Sequence, residues 1–161
     1  MPIILLKATT GDAYARQLTE KTTPKHTSYI KGLLSCAPYS DFELEIPHAD
    51  KDIIDFIVDW LDHHEADDEI PDDWEKKRPL ELTDWDRARM VDTFVGVALI
   101  NLMKAANFIG CQLMLNAVAT YVGQVLVTKS ERDVMDYFGV HREWTAADEA
   151  MVKEKFRTPF M

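Results

Sequence analysis

Two imidazoles and three carboxylates fall within six residues at His63, His64, Glu65, Asp67 and Asp68, the donor types that zinc and harder divalent cations take. Spacing argues against a metal centre. Adjacent histidines on a helix point in different directions, and no second cluster with ligand spacing follows. Cys36 and Cys111 form no metal or redox motif and are expected as buried thiols. The six glycines are scattered, and none belongs to a GxGxxG or GxxxxGK[ST] pattern that could cradle a phosphate. No serine sits in a GxSxG elbow. The many carboxylates line helix faces and one acidic stretch, where solvation is their ordinary role. The expectation is a protein without catalytic activity, metal or cofactor.

Charge narrows the partners. With 28 acidic against 18 basic side chains, the formal net charge is −10, which disfavours contact with a phosphate backbone. No apolar run reaches the roughly 18 residues of a membrane span. The opening residues are too short and too little basic for a signal sequence, so an intracellular protein is expected.

The elements that position these residues can be read from periodicity. Ile3 to Leu6 and Ala13 to Leu18, with Gly11 between them, predict a β-hairpin. Ser28 to Leu34 predicts a short helix capped by Thr27 or Ser28, and Phe42 to Ile46 alternates as a half-buried strand before Pro47. From Asp50, which can cap it, a helix sets Asp52, Asp55, Asp59 and Asp62 on a solvated face and Ile53, Ile57, Trp60 and Leu61 on the other. Asp62 to Asp84 is acid-rich, carries Trp74 and two prolines, and is expected to be a mobile loop. Thr83 with Asp86 predicts a capped helix through Met90. Gly110 separates two apolar helices, the second marked by a polar stripe of Gln112, Asn116, Thr120 and Gln124 and expected to be buried on most of its surface. Ser130 to Asp133 and Thr145 to Asp148 each read as a cap with a first turn, opening two small terminal helices. The class is α+β: a mixed half with a small three-stranded sheet, then an all-helical half.

Several of these segments resemble motifs of the S-phase-kinase-associated (SKP) adaptor family of cullin-RING ubiquitin ligases. Trp60 to His64 resembles its Trp-x-x-His-His helix, Trp85-Asp86 its Trp-Asp helix start, and Ala105 to Ile109 its Ala-Ala-Asn-aromatic-Leu signature. Asp136 to Val140 resembles its Phe-Asn-Ile turn, and Glu143 to Glu149 its Asp-Phe-Thr-acidic run. The resemblance spans about Ile3 to Lys155, and the order of the motifs is its specific part. The chain departs from it in three places. Gly96 falls in a segment two residues longer than the pattern, where a helix interior would be weakened by roughly 1 kcal/mol. Gly110 replaces an aspartate, and Phe156 to Met161 replaces a Trp-Cys-acidic tail.

The resemblance implies a BTB/POZ-type fold with a C-terminal helical extension: an α/β half at 1–66, an acidic loop at 67–84, the remaining BTB/POZ helices at 85–127 and F-box-binding helices at 128–161. It implies a non-catalytic adaptor of an SCF-type E3 ligase, acting in cytoplasm and nucleus and linking a cullin to F-box substrate receptors. Asn107 and Phe108 match cullin-facing positions. Val122, Leu126, Val134, Tyr137, Phe138, Val140 and Trp144, with Phe156 on the last helix, would line the F-box surface. The alternative is a divergent member that self-associates as a scaffold outside ubiquitin ligation.

Overall fold

The computed structural model describes residues 2–19, 24–68, 82–140, 143 and 145–155. Trp74, Trp144, Phe156 and most of the acidic stretch lie outside them. The described residues form a mixed α+β structure of one three-stranded sheet and seven α-helices. Ile4–Ala8 (β1) is the middle strand, and the expected hairpin forms with Ala15–Gln17 (β2), antiparallel, pairing Leu5 with Gln17. Phe42–Ile46 (β3) lies parallel to β1 on its other side, which demands a crossover. Ser28–Cys36 (α1) lies in that crossover. Alternation along β3 buries Leu44 and Ile46 and leaves Glu43 and Glu45 outside.

Lys51–His63 (α2) covers the sheet. Asp50 caps it, its carboxylate accepting from the Ile53 amide at 3.0 Å. Phe56, Trp60 and four isoleucine or valine side chains of α2 are buried. Asp84–Val91 (α3) starts at Thr83 as expected, with the threonine hydroxyl accepting from the Asp86 amide at 3.1 Å. Phe94, just beyond α3, meets Phe56 edge-on with ring centres 5.3 Å apart. The acidic face of α2 is not merely solvated. Arg16 of β2 binds Asp55 and Asp59 at 3.2 and 2.7 Å, Arg89 of α3 also binds Asp59, and the Thr19 hydroxyl donates to Asp62. These partners fasten the hairpin and α3 to α2, a role that the helical spacing alone could not reveal.

Val97–Phe108 (α4) and Gln112–Val127 (α5) pack together across the expected turn, in which Gly110 has φ +70°. Gly96 is not inside a helix. It stands at the N-cap of α4 with φ +60°, so it starts the helix instead of weakening its middle. A second correction concerns α5. Met114, Ala117, Val118 and Tyr121 are buried, but Val122, Val125 and Leu126 are only half-buried and Val127 is 87% exposed. The described elements cover one side of its second half, so the helix is apolar on more surface than the fold encloses.

Glu131–Tyr137 (α6) and Ala146–Lys155 (α7) carry the expected caps, Ser130 accepting from the Asp133 amide and Thr145 from the Asp148 amide, both at 3.2 Å. No α6 side chain is fully buried. Of the two cysteines, Cys111 is buried, and its burial pushes the thiol up to about 12; Cys36, at the last residue of a marginal helix, is exposed, contrary to expectation.

Candidate partner-binding surfaces

The His63-His64 pair is consumed by packing at the α2–α3 junction. His64 stacks on Trp60 with ring centres 4.1 Å apart, and His63 stacks on Trp85 at the same separation. One ring nitrogen of His64 lies 2.5 Å from the Asp67 carboxylate and the other 3.0 Å from that of Asp86. Burial pulls the imidazole down, but Asp86 and Asp67 outweigh it and hold the proton on above the usual histidine range. Asp86 is pushed up by burial and more strongly down by His64, the Thr83 hydroxyl and the Trp60 indole N–H, for a net lowering. Among the described residues no three His, Cys, Asp or Glu side chains converge as a metal-binding group.

Apolar side chains without a full cover gather on α5 and α6. Val122 and Leu126, four residues apart on α5, share a stripe. Val134, Tyr137 and Phe138 are half-buried and Val140 is 46% exposed. Tyr137 is the anchor. Its ring meets Phe138 at 5.1 Å, Lys129 lies over it at 4.8 Å, and its carbonyl oxygen would be 2.3 Å from a Cβ at Gly96. Only glycine lets the backbone of α6 come that close to the start of α4.

The end of α4 carries a second surface. Asn107 is exposed, and Phe108 is half-buried against Tyr29 of α1, their ring centres 5.3 Å apart. That contact depends on the Gly110 turn. The amides of Ser28 and Tyr29 donate to the carbonyls of Gly110 and Ile109 at 3.2 and 3.3 Å, and a Cβ at Gly110 would stand 2.0 Å from the Ser28 hydroxyl. Asn107 and Phe108 therefore lie together at one end, while the described members of the α5–α6 group belong to the second half of α5 and to α6.

The protein named E3 ubiquitin ligase complex SCF subunit sconC of Talaromyces marneffei is 23% identical over 139 residues, covering 84% of this chain and 85% of that protein. Suppressor of kinetochore protein 1 of Schizosaccharomyces pombe is 20% identical over 143 residues, 86% of this chain and 87% of that protein. No protein-family model matches the chain. At 20 to 23% identity, these relatives support the chain's resemblance to the SKP family. The relatives align along most of the chain's length, so the resemblance is not confined to its short motifs.

Sequence reasoning missed Tyr29, because its partner Phe108 is remote in sequence and nothing in the α1 spacing marks the contact. It also missed the hollow beside them, of about 200 Å³, lined by Lys25, Ser28, Lys31, Gly110 and Gln112. One signal was available: residues 24–40 and 93–130 contain no aspartate or glutamate in an otherwise acid-rich chain.

Proposed function

We propose that this chain is the non-catalytic adaptor of an SCF-type E3 ubiquitin ligase, built on a BTB/POZ-type fold and acting in cytoplasm and nucleus. Asn107 and Phe108 face a cullin. Val122 and Leu126 of α5, Val134 and Tyr137 of α6, and Phe138 and Val140 just past its end take the F-box of a substrate receptor, with Trp144 and Phe156 completing that surface. The single observation that carries this reading is the open apolar side of α5 and α6. A folded monomer rarely leaves such side chains uncovered unless a partner covers them, and aromatic anchors supply most of the affinity at such interfaces. The names of the relatives, SCF ligase subunits among them, support the same assignment. The adaptor works by holding two partners at high mutual concentration, which needs geometry and no reacting group.

Affinity capture from the chain's own cells tests it. Wild type should recover a cullin together with F-box proteins. Asn107→Ala with Phe108→Ala should lose the cullin and keep the F-box proteins, and Phe138→Ala with Val122→Ala should do the reverse. Recovery of neither class, with the chain instead bound to further copies of itself, would replace the adaptor by a self-associating scaffold.

A further inference from the structure

We infer that the cullin-facing surface extends from Asn107 and Phe108 across α1, forming a basic-rimmed aromatic step that receives an acidic, apolar-tipped segment of that partner. This rests on the adaptor reading above and adds the chemistry of what is bound.

Charge is segregated in this protein. Net charge is −10, yet residues 24–40 and 93–130 carry no carboxylate side chain, and their charged side chains are Lys25, Lys31, Lys104 and Lys129. Three of these lie on the elements that make the Tyr29–Phe108 contact or lead into them. Lys104 precedes Phe108 by one helical turn, Lys31 follows Tyr29 on α1, and Lys25 lies at the entry to α1. Elsewhere several cations are paired: Lys7, Lys51 and Lys153 each bind a carboxylate at 2.7 to 2.9 Å, and Arg16 and Arg89 bind the acidic face of α2. Among the described residues Lys31 and Lys104 have no carboxylate partner, and Lys25 donates only to the backbone carbonyl of Asp67. The hollow of about 200 Å³ between Lys25 and Lys31 has no acidic side chain in its wall. Ser28 and Gly110 in its wall are close in sequence to Tyr29 and Phe108, and Tyr29 keeps 43% of its surface exposed.

An acidic partner would be repelled by most of this molecule. The carboxylate-free segments that carry Lys25, Lys31 and Lys104 offer it attraction instead, so the field favours this face and orients the partner. The apolar tip then rests on Tyr29 and Phe108, while a carboxylate enters the hollow between Lys25 and Lys31. α1 buries Ile30 and packs Leu33 and Leu34 on the core, which leaves its exposed Tyr29 and Lys31 for that contact.

Calorimetry with a purified cullin from the same cells, over a salt series, tests the assignment. Wild-type affinity should fall as salt rises. Lys31→Glu with Lys104→Glu should weaken low-salt binding about tenfold and flatten the salt slope, since two attractions become repulsions. Tyr29→Ala should weaken binding about tenfold while keeping the wild-type slope, the mark of lost apolar contact. All three positions are exposed, so thermal melts should match wild type and exclude unfolding as the cause. Wild-type affinity and slope in both variants, with binding still lost in Asn107→Ala, Phe108→Ala, would overturn this extension and leave the adaptor reading standing. Absence of cullin binding by the wild type would overturn both. Self-association lost in the variants by light scattering would make the occupant a second copy and contradict the proposal.

Discussion

Asp86 accepts hydrogen bonds from the Trp60 indole, His64 and the Thr83 hydroxyl at 2.8, 3.0 and 2.7 Å, with 4% of its side chain exposed. A carboxylate so enclosed is stable only while its donors stay in place. His64→Ala should therefore cost about 3 kcal/mol in denaturant unfolding, although it touches no proposed partner surface. The pH dependence has two arms. His64 is raised above its ordinary 6.5 in the folded protein, so its contribution is complete below that value and is lost as pH rises through the higher folded value. Asp86 is lowered from 3.8, so its contribution is complete above that value and is lost as pH falls through the depressed one. Unfolding curves from mildly acidic to alkaline pH should show stability declining as pH rises past 6.5 in the wild type and a smaller decline in His64→Ala. An equal decline in both would remove His64 from the account.

Two glycines set how the helices meet. Alanine at Gly96 is opposed twice, by a φ of +60° and by the Tyr137 carbonyl 2.3 Å from its Cβ. Gly96→Ala should cost about 2 kcal/mol or more and displace α6, visible as a lower melting temperature and as weakened capture of F-box proteins with cullin capture retained. Much at this scale was legible in the sequence. The alternation of β3, the Asp50, Thr83, Ser130 and Thr145 caps and the Gly110 turn are local features, set by neighbouring residues, and all appear as expected. What was not legible depends on distant neighbours. Whether Gly96 lies inside a helix or caps one is decided by the backbone of α6, and whether Asp55 and Asp59 face water is decided by arginines from β2 and α3.

For the molecule as a whole, composition recorded a charge asymmetry but not its arrangement. The acid-poor segments are far apart in sequence and meet where α1 packs on the α4–α5 turn. The candidate surfaces were legible as residue types at matching positions; the half-exposed state of α5 was not, since an apolar helix predicts burial unless the covering elements are known. The structure leaves apolar side chains partly open on α5 and α6 and sets a separate aromatic contact at the end of α4. The most direct test is the mass of a reconstituted assembly, measured by light scattering after mixing the chain with a cullin and an F-box protein from the same cells. The account predicts a single complex with one copy of each, in which the cullin and the F-box protein do not associate unless the chain is present. A cullin and an F-box protein that each fail to bind it, or that compete for it instead of joining one complex, would contradict the account.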